Sequence, residues 1–148
     1  MPQRVLIVED EALIALDLSH ALESMGHEVV AIAADSAAAR AAAPEGIDLA
    51  LVDLNLRDGP TGSALGEDLA RDWGTTVIYL TANPRQVRVG VNGPVGILPK
   101  PFTDASLHEA VRFALSVRHG RQAVAPEELR LLAGAPPAVQ GIGREPRL

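Results

Sequence analysis

The fold is decided by residues 5–11, with the sequence VLIVEDE, in which a short apolar run ends abruptly in three carboxylates. The same arrangement returns at residues 49–53, with the sequence LALVD. Short apolar runs of this kind are typical of strands that are covered on both faces, as in parallel α/β sheets. Such sheets bind ligands at the carboxyl ends of their strands. We therefore expect the acids that end the two runs to share one edge of a sheet.

Strand and helix patterns alternate along the first 118 residues. A further helix, between Pro84 and Pro94, is weakly specified because Gly90, Asn92 and Gly93 interrupt its pattern. The alternation predicts an α/β fold, a flavodoxin-like (βα)5 doubly wound parallel sheet with strand order 2-1-3-4-5. The predicted strands are 5–8, 29–33, 47–53, 76–80 and 95–98, and the predicted helices are 13–25, 36–43, 64–73 and 103–118.

The sequence predicts one domain over residues 1–118, followed by a C-terminal tail over residues 119–148. Prolines break up the tail, and only Glu127–Ala133, which follows Pro126, has the pattern of a helix. We expect the tail to be partly helical or disordered. It is too short for a DNA-binding domain with a core of its own.

Composition excludes several classes of function. Thirteen basic and nineteen acidic residues give a net charge of −6 at pH 7, which opposes nonspecific binding to nucleic acid. The absence of cysteine excludes disulfides, thiol catalysis and cysteine-ligated metals. The N-terminus lacks the long apolar segment of a signal peptide, and no stretch is apolar enough to span a membrane. We therefore expect a cytoplasmic location, with neither nucleic acid nor membrane as a partner.

Chemically active side chains follow four of the predicted strands. Glu9 and Asp10 follow the first strand, Asp53 ends the third, Thr81 follows the fourth and Lys100 follows the fifth. Three carboxylates at one edge repel one another and call for a divalent cation, and carboxylate oxygens suit Mg²⁺. A carboxylate can also attack a phosphoryl group, while a metal ion and a lysine neutralise the phosphoryl oxygens. These residues predict a site for phosphoryl transfer.

This order of motifs resembles the receiver domain of two-component response regulators over residues 3–118. The motifs are VLIVEDE at 5–11, LVDLNL at 51–56, LTA at 80–82 and LPKPF at 98–102. The resemblance implies that Asp53 accepts a phosphoryl group from a sensor histidine kinase or a phosphotransfer protein. Such a protein catalyses its own phosphorylation and dephosphorylation and is not a conventional enzyme. Its output would run through contacts with a downstream protein, or it would drain phosphate as a sink, and it could form a weak homodimer.

The resemblance also assigns roles to the individual residues of the site. It implies that Thr81 and Lys100 hold the phosphoryl group and that Lys100-Pro101 is a cis peptide, which only proline makes at low cost. The implied ligands of Mg²⁺ are the side chains of Glu9, Asp10 and Asp53 and the main-chain carbonyl of Asn55.

The signalling residues depart from the usual pattern of the family. The family places a switch aromatic three residues before the lysine, where this chain has Ile97. Tyr79 lies two residues before Thr81, so both side chains are expected on one face of the strand, and Tyr79 is a candidate substitute switch. With the weakly specified helix after Pro84, these features resemble an atypical receiver subgroup of alphaproteobacterial stress signalling.

Two other functions are compatible with parts of this pattern. A pseudo-receiver would keep the fold and bind partners without phosphorylation, but it would have lost Asp53, Lys100 or the acidic pair. A phosphatase of the haloacid dehalogenase type also uses an aspartate after a strand. Such enzymes need a second acid two residues later, where this chain has Asn55. The receiver is the hypothesis that accounts for all of the residues.

Overall fold

A single sheet forms the centre of the computed structural model, which describes residues 2–84 and 93–132. Within that part of the chain the strand order is β2-β1-β3-β4-β5-β6, and the first five strands are parallel. The predicted fold class and the order 2-1-3-4-5 are therefore confirmed. The strands are β1 (Arg4–Val8), β2 (Glu28–Ala33), β3 (Leu49–Asp53), β4 (Thr76–Thr81), β5 (Gly96–Pro99) and β6 (Arg130–Leu131).

The described helices are α1 (Ala12–Ser24), α2 (Ser36–Ala42), α3 (Gly62–Trp73) and α4 (Asp104–Arg118). The Thr103 hydroxyl accepts a hydrogen bond from the Ser106 N–H at 3.0 Å, which caps the first turn of α4. None of these helices is both long and apolar enough to cross a membrane. The weakly specified helix between Pro84 and Pro94 falls on residues 85–92, which lie outside the described part of the chain.

Side chains of the sheet alternate between two apolar layers because strand residues point to opposite faces in turn. Val5 and Ile7 pack in the layer that also contains residues of α1 and α4. Leu6 and Val8 pack in the opposite layer, with residues of α2 and α3. Helices thus cover both faces, as a doubly wound sheet requires. This double cover explains why the strand sequences are almost wholly apolar.

Strand register places the carboxyl ends of the central strands side by side. Val8 pairs with Val52, Asp53 with Leu80, and Thr81 with Pro99. The residues that leave these strands therefore meet at one edge of the sheet.

The tail contains a strand where the sequence predicts a helix. Residues 127 and 128 form a turn, and Arg130–Leu131 form β6, which runs antiparallel to β5. The prediction of a helix over Glu127–Ala133 is therefore wrong for residues 127–132. The outer edge of β5 offers unpaired backbone groups, and pairing with them outweighs the local helix propensity.

Candidate functional site

Three carboxylates converge at the carboxyl edge of the sheet. One oxygen each of Glu9, Asp10 and Asp53 lies within 4.8 Å of the others. Glu9 and Asp53 are buried, because they belong to or directly follow central strands, whereas Asp10 is exposed. Close carboxylates of this kind repel one another unless a cation lies between them.

Lys100 joins two of these acids. Its Nζ lies 2.9 Å from Asp53 Oδ2 and 3.1 Å from Glu9 Oε1. Burial opposes the charge of Lys100, but the hydrogen bonds to both acids outweigh it and raise the pKa of the ammonium. Lys100 follows β5 and precedes a cis peptide to Pro101, so the predicted cis bond is confirmed.

Lys100 is also the only lysine among the thirteen lysine and arginine residues of the chain, which is a further sequence signal for this position. A lysine is a compact point charge with three donors, whereas arginine is a planar fork. Arginine stands at each of the other twelve positions, so composition alone singles out Lys100.

Glu9 is the most strongly perturbed acid of the site. Burial raises its pKa to about 7. The Glu11 N–H, 3.1 Å from Glu9 Oε2, acts in the opposite direction, as does Lys100, while the charge of Asp53 adds to the increase. A carboxyl group with this pKa is ionised only in part at neutral pH, so a bound cation would stabilise its charged form.

Thr81 lies buried at the end of β4. Its Oγ1 accepts a hydrogen bond from the Asn83 N–H at 3.0 Å, and its carbonyl accepts one from the Lys100 N–H at 2.8 Å. The hydroxyl can still donate its own proton. Thr81 and Lys100 are therefore tied together through the backbone at the edge where the acids converge.

The loop after Asp53 folds back onto its carboxylate. The Asn55 N–H donates to Asp53 Oδ1 at 3.0 Å, which places the backbone of Asn55 beside the site. That the Asn55 carbonyl is a metal ligand stays a prediction. The Asp58 carboxylate accepts hydrogen bonds from the hydroxyls of Ser36 and Thr61 and so ties this loop to the start of α2.

Sequence interpretation missed the bridging role of Asp58 in this loop. The spacing of Asp58 and Thr61 is a signal for a local turn. Ser36, in contrast, comes from a distant part of the chain, and no local pattern connects it to Asp58.

The donor set fits a hard divalent cation. Carboxylate oxygens are the ligands that Mg²⁺ prefers, and the site offers three carboxylates against one ammonium. A surface cavity of about 410 Å³ opens beside Glu9 and Asp10 and is also lined by Leu16, Ile32 and Arg57. Of the three acids, Asp10 is exposed, and the cavity borders Glu9 and Asp10 but not Asp53.

The two switch candidates lie next to each other in the sheet. Tyr79 pairs with Ile97, and both are buried in the layer facing α2 and α3. The Tyr79 hydroxyl donates to the Ser63 carbonyl at 2.7 Å, and burial raises the pKa of the phenol. A Cβ at Gly66 would lie 2.5 Å from the Tyr79 hydroxyl, so the ring position depends on that glycine. A switching role for Tyr79 stays a prediction.

Comparisons with known proteins agree with this architecture. The model of the response regulator receiver domain matches residues 5–112. PhyR, the phyllosphere-induced regulator of Methylorubrum extorquens, is 35% identical over 118 residues, which are 78% of this chain and 44% of PhyR. The transcriptional regulatory protein PdtaR of Mycobacterium tuberculosis is 34% identical over 122 residues, 78% of this chain and 58% of PdtaR. The chain thus spans about half the length of these curated relatives.

A solved structure extends the likeness to the fold of a single receiver. The receiver domain of PhyR from Erythrobacter litoralis superimposes with a TM-score of 0.72 at 33% identity, covering 83% of this chain and 97% of that domain. A structure of the PhyR stress response regulator superimposes with a TM-score of 0.67 at 32% identity, covering 80% of this chain and 46% of that protein, in agreement with the narrower resemblance expected from the sequence. The chain belongs to the response regulator receiver domain family.

Proposed function

We propose that Asp53 accepts a phosphoryl group from the phosphohistidine of a sensor histidine kinase or a phosphotransfer protein, in a reaction that requires Mg²⁺. The observation that carries this proposal is the position of Lys100 Nζ, 2.9 Å from Asp53 Oδ2 and 3.1 Å from Glu9 Oε1. A fixed ammonium beside a buried carboxylate is placed to neutralise oxygens of an incoming phosphoryl group.

The transfer follows from the chemistry of the carboxylate. An oxygen of Asp53 attacks the phosphorus in line with the leaving imidazole; a P–O bond forms and the P–N bond breaks. The electron pair of that P–N bond stays with the imidazole. Dephosphorylation is a separate reaction: a water oxygen attacks the phosphorus, the bond between the phosphorus and the Asp53 oxygen breaks, its electron pair restores the carboxylate, and inorganic phosphate leaves with the oxygen of the water, whose proton passes to phosphate or solvent.

The other residues position and neutralise the transferred group. Lys100 pairs with its oxygens, and the Thr81 hydroxyl donates a hydrogen bond to one of them. Glu9, Asp10 and Asp53, with the carbonyl of Asn55, would hold Mg²⁺, which supplies neutralisation of the phosphoryl charge. The chain thereby catalyses its own phosphorylation and dephosphorylation.

Apolar side chains beside the site favour a protein as phosphoryl donor. Leu13 of α1 is 78% exposed and Leu16 is 48% exposed, and Leu16 lines the cavity next to Glu9 and Asp10. Exposed apolar surface next to a reactive group is typical of a docking site for a protein partner. The proposal also places the protein in the cytoplasm. Its output would be either contact with a downstream protein or drainage of phosphate from the kinase.

The retained contacts of the site argue against the two alternatives. A pseudo-receiver has no use for an ammonium held between two buried acids, yet Lys100 holds that position. A phosphatase of the haloacid dehalogenase type needs a second acid two residues after its aspartate, and this chain has Asn55 at that position.

The decisive experiment measures incorporation of phosphate from acetyl phosphate, or from a phosphorylated kinase, with and without Mg²⁺. We expect labelling of the wild type only with Mg²⁺, in a form that base and hydroxylamine cleave as they cleave an acyl phosphate, and none in Asp53→Asn. Asp58→Asn is the matched control, because Asp58 lies on the same loop and bonds only to hydroxyls and backbone in the described structure. Equal labelling of Asp53→Asn and wild type would reject the proposal.

A further inference from the structure

The outer edge of β5 is covered by the chain itself. Gly96 lies opposite Leu131 and Ile97 opposite Arg130 in the antiparallel pair of β5 and β6. The Leu132 N–H also donates to the Val95 carbonyl at 3.1 Å. An edge strand presents a row of N–H and C=O groups that accept another extended segment. Residues 129–132 are the segment that fills this edge.

One buried side chain anchors the segment. Leu129 is 4% exposed and packs in the layer that contains α1 and α4. Val124, five residues earlier, is 69% exposed. A two-residue strand has few backbone bonds, so attachment depends strongly on Leu129.

Gly96 is the residue that permits the close approach of this segment. A Cβ at Gly96 would lie 2.6 Å from the Arg130 carbonyl oxygen and 3.2 Å from Leu129 Cδ1. The backbone of Gly96 is not in the left-handed region, so its conformation does not itself require glycine. The absence of a side chain at this position is needed for the contact with β6.

Strand β5 also connects this edge to the acidic site. Ile97 pairs with Tyr79 on one side and with Arg130 on the other. At the end of β5, Lys100 binds Asp53 and Glu9 through its side chain and Thr81 through its N–H. Any movement of Lys100 and Thr81 toward new phosphoryl oxygens therefore acts on the strand that holds β6.

We propose that the outer edge of β5 is a strand-binding surface whose occupant, residues 129–132 of the same chain, leaves when Asp53 is phosphorylated. This proposal rests on the proposed function. The segment has two states, docked on β5 and released. The equilibrium between these states depends on the acidic site and on the contact with Gly96. Release opens the β5 edge and exposes the side chain of Leu129 together.

The test uses the full chain, beryllofluoride with Mg²⁺ as phosphoryl mimic, and amide hydrogen exchange. Because Lys100 is the only lysine, [¹⁵N]lysine gives one amide signal that reports occupancy of the site. We expect beryllofluoride to shift that signal and to accelerate exchange of the Leu132 amide by at least about fivefold. The Leu22 amide, in the helix α1 core, should not change.

Two variants test the reverse direction. Gly96→Ala and Leu129→Asp should release the segment without the mimic. Because coupling is reciprocal, both variants should also bind beryllofluoride more tightly, by the factor by which beryllofluoride accelerates exchange of the Leu132 amide in the wild type. Val124→Asp is the matched control and should change neither quantity. A shifted Lys100 signal with unchanged Leu132 exchange would overturn this proposal and leave the proposed function standing. No response of Lys100 would overturn both.

Discussion

The acidic edge of the sheet and the outer edge of β5 are held by opposite kinds of force. At the acidic edge, Lys100 lies between the buried carboxylates of Glu9 and Asp53. At the outer edge, Leu129 is buried among apolar side chains and the backbone of β6 pairs with β5. Burying charges costs free energy, whereas burying a leucine lowers it. The first region therefore suits the proposed phosphoryl transfer, and the second holds β6 to the sheet.

The largest effect that separates the two regions is expected at Lys100. Lys100→Met should lower the rate of phosphorylation by about 100-fold, because the transferred oxygens lose their fixed countercharge. Arg112→Met, which removes a positive charge from exposed surface of α4, is the control and should change the rate by less than about twofold. Initial rates with acetyl phosphate measure both. Equal rates for the two variants would show that the position of Lys100 beside Asp53 contributes no more to phosphorylation than an exposed positive charge does.

The next largest effect is expected on stability at the other edge. Leu129→Ala should lower the free energy of unfolding by about 2–3 kcal/mol through lost burial and the cavity left behind. Val124→Ala should change it by less than about 0.5 kcal/mol because that side chain is exposed. Urea denaturation gives both values. Similar losses in the two variants would show that β6 does not anchor on Leu129.

The smallest effect is a pH dependence confined to the acidic edge. The pKa of Glu9 is about 7 in the folded chain and about 4.5 in the unfolded chain. The free energy of unfolding should therefore fall as pH rises from about 4.5 to about 7, because the unfolded chain ionises Glu9 more readily. Mg²⁺ binds the ionised form, so its affinity should rise by up to about tenfold per pH unit below 7 and level off above. Mg²⁺ titrations between pH 5.5 and 8 measure this slope, which Glu9→Gln should flatten.

Local sequence patterns sufficed to predict the first five strands and the edge at which the acids meet. Apolar runs ending in Glu9 and Asp53 define buried parallel strands, and such strands place their carboxyl ends together. The pattern of Leu129, Leu131 and Leu132, in contrast, suits a helix and a strand alike. The unfilled edge of β5, more than thirty residues away, decides between them.

The remaining features of the site also depend on distant contacts. The raised pKa of Glu9 results from burial in the folded chain, and the tie between Asp58 and Ser36 joins two loops. Neither follows from the residues that surround these positions in the sequence.

The most direct test of the central claim is to locate the phosphoryl group after transfer with Mg²⁺, by reducing the acyl phosphate with borohydride and mapping the modified peptide by mass spectrometry. The account predicts one modified residue, Asp53, and no modification when Mg²⁺ is chelated. Modification at Asp10 or Asp58 instead, or labelling that persists without a divalent cation, would contradict it.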